Sequence, residues 1–314
     1  MHSSFVQTPP VAERADRGAK LGQLVRSRSA SYLDAYLLIQ AMASSNPPYE
    51  VWYPAQSWVH ALGLNTATGS DSRTVSPAAR SQWSKIIRKL VETKLITRHR
   101  SSNKMQYVLL DESGDGSPYV RSTKLEQGTW FMIPHAYWID GHYMTMTLAA
   151  KAMLLVALSS KEKFVLPFDR VQDWYGLSAS TARRGFKELE DLGILSYDQG
   201  WRAEPKSKTT WAEVRTYTLH GVWSLASRRK SISQRPPRTT ATAPVFEGSK
   251  PTDQSSIGTP KLDKTQPQPP VSHTTNAGPN SVEAFIASMN ERKSQAKKTR
   301  RRVVPDAESV GGHS

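Results

Sequence analysis

The chain has 314 residues, with 42 Lys+Arg against 27 Asp+Glu, a net charge of +15 and no cysteine. Without cysteine there are no disulfides, no thiol catalysis, no cysteine-held iron–sulfur cluster and no Cys-based zinc finger. The longest apolar run, 152–158, is far shorter than the ~20 residues of a membrane span, and MHSSFVQTPP at the start lacks the apolar core of a secretory signal. These features predict a basic, soluble, cytoplasmic protein with no membrane partner, whose partner by charge sign is a polyanion.

Residues 1–29 carry Pro9-Pro10 and five basic side chains and are expected to form a disordered arm. All nine Trp lie between Trp52 and Trp223, and all eleven Tyr between Tyr32 and Tyr217. Large aromatics mark core, so the folded region is placed at about 30–225, a length that suits two small domains.

The first of these, 30–112, reads as a helix over 32–43 and a second over 54–62. A third starts behind a Ser76 cap with Pro77 at its first position and runs to about Lys94. Trp83, Ile86, Ile87, Leu90 and Val91 form its inward stripe. A hairpin of 95–100 and 105–110 follows. Residues 113–146 read as a linker, with Ser113-Gly114-Asp115-Gly116-Ser117 as a turn. His135, Asp140 and His142 lie close together there, but Tyr137, Trp138 and Tyr143 among them favour core or loop roles over a metal site.

The second unit, 147–223, opens with an apolar helix over 148–158. WYGLSASTARRGFKELEDLGIL, residues 174–195, then gives a turn at Gly176, a helix capped by Ser178 and a stop at Gly193. Ala182, Phe186 and Leu189 form the inward stripe. Strands at 194–197 and 214–219 flank a polar loop. A shift of 99 residues superposes Ile87-Arg88-Lys89-Leu90 on Phe186-Lys187-Glu188-Leu189 and Leu95-Ile96 on Ile194-Leu195, an internal repeat of weak identity.

Beyond it, 224–280 contains most of the prolines of the C-terminal third and no Trp or Tyr past Trp223, and is expected to be a disordered linker. Val282, Phe285, Ile286 and Met289 recur at helical spacing behind Ser281, predicting a short basic amphipathic helix over 281–302, with a disordered tail over 303–314. The basic clusters at 228–238 and 292–302 read as nucleic-acid tails that hold phosphate without reading sequence.

Gly176-Leu177-Ser178, Thr181, Arg184, Leu189 and Leu192-Gly193-Ile194-Leu195 carry a resemblance to the winged helix-turn-helix superfamily, in pattern rather than identity. The resemblance implies a mainly α fold with small β-hairpins (α+β): two tandem winged helix-turn-helix domains with disordered termini. It also implies that the third helix of each unit enters the DNA major groove. The outward positions of the first such helix are Arg80, Ser81, Gln82, Lys85, Arg88 and Lys89, with Arg98, Arg100 and Lys104 on its hairpin. Gln suits adenine, and Arg or Lys suits guanine. In the second unit the equivalent set is Ser180, Thr181, Arg183, Arg184 and Lys187, with Lys206 and Lys208 in the hairpin loop. Glu188, Glu190 and Asp191 lie nearby and repel phosphate, so this unit either binds DNA more weakly or provides an inter-domain or homodimer surface.

No phosphate-cradling G-x-x-x-x-G-K-[ST] motif, closely spaced acidic cluster or His-apolar-His signature occurs, so neither an enzyme nor a cofactor is expected. Three functions remain. The first is a sequence-specific double-stranded DNA-binding transcription regulator. The second is a plasmid or phage replication initiator that binds origin repeats. The third is an interaction protein whose winged helices bind proteins.

Overall fold

The structure, a computed structural model, describes residues 1–7, 19–64, 75–101, 104–121, 130–203 and 211–233. The described chain is α+β, with short helices and two separate three-stranded antiparallel sheets.

Helix α1 (Lys20–Arg26) precedes the first repeat: α2 (Ala30–Met42), β1 (Glu50–Trp52), α3 (Ala55–Ala61), α4 (Pro77–Glu92), β2 (Ile96–Ser101) and β3 (Lys104–Leu109). Helices α5 (Ala136–Ile139) and α6 (His142–Thr145) follow. The second repeat is α7 (Leu148–Ser159), β4 (Lys163–Val165), α8 (Val171–Tyr175), α9 (Ala179–Asp191), β5 (Leu195–Ala203) and β6 (Trp211–Leu219); α10 (Leu225–Ser233) closes the described chain. Each repeat runs helix, strand, helix, helix, strand, strand. In each, the last strand lies at the centre of the sheet, in the orders β1-β3-β2 and β4-β6-β5.

The repeat extends to single hydrogen bonds. Ser76 Oγ accepts from Ala79 N at the start of α4, and Ser178 Oγ accepts from Thr181 N at the start of α9. At the other ends Leu95 N donates to Leu90 O, and Ile194 N donates to Leu189 O. Lys94 (φ 56°) and Gly193 (φ 67°) hold the same left-handed position, 99 residues apart. The central strands place Tyr107 and Tyr217 alike, opposite Arg98 and Tyr197 respectively. Tyr107 packs edge-on to Trp83 at 5.9 Å, whereas Tyr217 packs on Phe186 at 4.5 Å. The large ring has moved one helical turn: Trp83 and Ile87 in α4 correspond to Ala182 and Phe186 in α9.

Strands β1 and β4 were not anticipated from the sequence. Each is only three residues long and adds to the free edge of a hairpin, pairing Glu50–Trp52 with β3 and Lys163–Val165 with β6.

The expected disordered arm, 1–29, is corrected where it is described. Phe5, Val6, Leu21 and Leu24 are fully buried, and His2 bridges to Trp130. Four large apolar side chains outweigh the prolines nearby, because each contributes roughly 1.5–3 kcal/mol on burial. Residues 8–18 lie outside the described residues. The segment 113–146 is likewise more than a connection, since Phe131, Tyr137, Trp138 and Tyr143 join the core. His142 stacks edge-on to Trp223 at 5.3 Å, and burial lowers its pKa.

The fold also continues past 223. Arg228, assigned by sequence to a nucleic-acid tail, is 2% exposed. Its guanidinium donates to Trp223 O and to Leu158 O, each at 3.0 Å. It thereby satisfies a carbonyl in the last turn of α7, where a cation also complements the helix dipole. Residues 234–280 of the predicted linker, the helix over 281–302 and the tail over 303–314 lie outside the described residues.

The two repeats share one core. Helix α7 is buried almost all round, between α9 on one side and α1 on the other. A Cβ on Gly185 would lie 2.4 Å from Ala149 O, so the α7–α9 approach requires glycine there. Gly22 in α1 meets Tyr175 O in the same way, at 2.5 Å. Within this shared core, Lys151 Nζ lies 2.8 Å from both carboxylate oxygens of Asp34. Among the described residues no helix is long and apolar enough to cross a membrane.

Candidate nucleic-acid interface

Helix α4 has two distinct faces. Ala79, Trp83, Ile86, Ile87 and Leu90 are buried, and Trp83 stacks on Trp58 at 5.5 Å while its indole N–H donates to Tyr107 Oη at 3.2 Å. That anchoring fixes the rotation of the helix about its axis. Arg80, Ser81, Gln82, Lys85 and Arg88 therefore stand exposed on the opposite face. Lys89 is half-buried and sits 4.0 Å from Glu92. Among the described residues no acid pairs with Arg80, Lys85 or Arg88, so this face keeps its positive charge.

The β2–β3 hairpin extends that charge. All of β2 beyond Ile96 is exposed. Alternation puts Arg98 and Arg100 on the same face as Ile96, whose side chain enters the core under α4. Lys104 Nζ sits 4.2 Å above the ring of Trp52 in β1. Trp52 was not singled out from the sequence, although its place in a short β-rich run before Pro54 was the available signal. Ser102 and Asn103 at the turn lie outside the described residues.

The corresponding face of α9 is electrically different. Ser180, Arg183, Arg184 and Lys187 are exposed and Thr181 is half-buried. Lys187 Nζ is 2.6 Å from Asp191, which raises the pKa of the ammonium. Arg183 lies over the Phe168 ring at 5.3 Å. Arg215 in the hairpin is 2.6 Å from Glu213 and lies over Tyr197 at 4.7 Å. Arg170 faces both Asp169 and Asp173. Glu188, expected only to repel phosphate, has a structural partner: its carboxylate accepts from Thr147 N at 2.8 Å and from Thr147 Oγ1 at 2.5 Å, securing the start of α7. Lys206 and Lys208 lie outside the described residues.

The two faces thus share a backbone plan and differ in charge. On the first, Arg80, Lys85 and Arg88 are paired with no acid among the described residues and Lys89 alone faces one, whereas on the second Lys187 and the hairpin's Arg215 are each held by an acid. Among the described residues no group of three or more His, Asp and Glu side chains is arranged to hold a metal. Comparison of the chain with models of protein families, with curated proteins and with solved structures finds no match.

Proposed function

We propose that the chain is a sequence-specific double-stranded DNA-binding protein of tandem winged helix-turn-helix architecture, acting as a transcription regulator. The repeated helix, strand, helix, helix, strand, strand order supports that architecture. The observation that carries the function is the outer face of α4, where Arg80, Gln82, Lys85 and Arg88 are exposed on a helix whose other face is locked into the core. A helix about 10–12 Å across fits the major groove, which is about 12 Å wide. Seated there, α4 would bring Gln82 and Arg88 to base edges. Arg80 and Lys85 would meet phosphates, and Arg98 and Arg100 would hold the neighbouring backbone. The α9 face contributes less, because phosphate must displace Asp191 from Lys187 and Glu213 from Arg215.

A replication initiator that binds origin repeats is the second reading. The shared core favours it: the two units are joined through buried contacts, and no separate effector body stands beside them among the described residues.

The deciding measurement is binding of the full chain to random duplex and to DNA flanking its own gene, at several salt concentrations. Tight, preferential binding to a promoter site supports a regulator, whereas preference for repeated sites at an origin supports an initiator. Arg88→Ala should cost ~1–3 kcal/mol on the preferred site if Arg88 reads a base. An equal loss on random duplex assigns Arg88 to phosphate, and salt-independent or absent duplex binding refutes both readings.

A further inference from the structure

The second hairpin exposes a surface that duplex recognition does not use. Trp201 is 66% exposed and Trp211 54%. Exposure of this much of two indoles is costly in water, because each carries about 150–250 Å² of largely apolar area. Neither is a lone surface residue. The register pairs Tyr197 with Tyr217, Gln199 with Arg215, Trp201 with Glu213 and Ala203 with Trp211. Paired residues share a face, so Tyr197, Trp201, Trp211 and Arg215 all project on the side of Tyr217. Tyr217 in turn is buried against Phe186 of α9. A line of flat π surfaces therefore runs outward from the core, through Tyr217, Tyr197 and the Arg215 guanidinium, to the two indoles at the far end.

Strand β4 covers β6 only at Thr216–Thr218, and no described strand pairs with the outer edge of β5. At the base of the hairpin lies an open groove of about 970 Å³ between it, α9 and the 165–170 segment. Arg170, Arg183, Lys187, Arg202 and Arg215 line it, against three acids. A groove whose cations outnumber its acids, beside exposed rings, suits a single strand, whose backbone it can track and whose bases offer their faces for stacking. The first hairpin is built otherwise: Arg98 and Arg100 stand where the second has Tyr197 and Gln199.

We infer that the Trp201/Trp211 face of the second hairpin binds unpaired DNA by stacking on its bases, with the adjoining groove holding the backbone. The inference extends the DNA-binding function proposed above from paired to unpaired DNA. In it, α4 holds the duplex while the second hairpin takes bases that have left the stack.

The test uses the full chain and fluorescence anisotropy with a labelled 20-nucleotide single strand of mixed sequence and its matched duplex. Replacing both tryptophans by alanine (W201A/W211A) should weaken single-strand binding by roughly tenfold or more per indole, with little effect on the duplex. W201F/W211F, which keeps the rings flat and aromatic, should retain most of the affinity. R88A should weaken the duplex and spare the single strand, so failure of duplex recognition is read separately. The inference is overturned if W201A/W211A binds the single strand as the native chain does, or loses both probes by the same factor. It is also overturned if R88A and W201A/W211A weaken the single strand equally, which makes that binding merely electrostatic. If sedimentation shows that W201A/W211A breaks up a dimer while single-strand binding is unchanged, the face is a protein contact instead.

Discussion

Asp34 in α2 and Lys151 in α7 form an ion pair between the two repeats, with the ammonium 2.8 Å from both carboxylate oxygens and the lysine side chain only 3% exposed. Burial holds the Asp34 carboxyl above its ordinary pKa, against the pull of Lys151. A buried pair of this kind contributes little over an apolar replacement, but breaking it strands a charge. Asp34→Ala should therefore destabilise the chain by about 3–5 kcal/mol in urea unfolding. Asp34→Leu combined with Lys151→Met should recover most of that loss. An additive effect of the two substitutions would show that the charges do not interact.

Glu112 predicts a dependence of stability on pH. The residue is fully buried, and burial raises its pKa to about 7, while the cationic N-terminus, the His2 backbone N–H and the Gln40 amide pull it down. Gln40 donates to one carboxylate oxygen at 2.6 Å, and the other has no hydrogen-bond partner among the described residues. In the unfolded chain the carboxyl has its ordinary value of 4.5. Between these two values the folded state holds a proton that the unfolded state does not. The stability contribution therefore falls as pH rises through 7 and is fully present below 4.5. The swing is on the order of 3 kcal/mol. Urea midpoints of the native chain minus those of Glu112→Gln, from pH 5 to 8, should trace it. The difference also removes His2 and His142, whose lowered pKa values act with the opposite sign. A flat difference would place Glu112 in contact with water.

Lys94 ends α4 at φ 56°, a conformation that Gly193 takes at the end of α9. A lysine Cβ crowds the neighbouring carbonyl there, and glycine does not. Lys94→Gly should stabilise the chain by ~1 kcal/mol, although it gives up an exposed contact of 3.5 Å between Lys94 Nζ and Asp115 O. The reverse change, Gly193→Ala, should destabilise by a similar amount. Both are read as shifts in thermal or urea midpoint.

The charge contrast between α4 and α9 predicts different salt behaviour. Lys85→Ala should reduce the slope of log affinity against log salt on duplex DNA by about 0.9 if Lys85 meets a phosphate. Lys187→Ala should change the slope less, because Asp191 already neutralises that ammonium at 2.6 Å. Equal changes at the two positions would remove the asymmetry between the units.

Much of the backbone plan follows from local chemistry. Ser76 and Ser178 cap their helices because a hydroxyl meets orphan N–H groups. Gly176 turns the chain at φ 64° because it lacks a Cβ, and the stripe from Trp83 to Leu90 has the period of a helix with one buried face. The outward set from Arg80 to Arg88 is the complement of that stripe, so its exposure was legible too. Pairing across distance was not. β1 and β4 are too short to carry a pattern and exist only because a neighbouring strand offers an edge. Arg228 looks like its basic neighbours until Leu158 O is brought 3.0 Å away. Phe5 and Leu21 seem too few to build a core until the rest of the chain supplies the other wall. Periodicity and capping act within a few residues and are written in order along the chain. Burial and pairings such as Asp34 with Lys151 or Arg228 with Leu158 O depend on residues far along the chain, and only the folded packing brings those together.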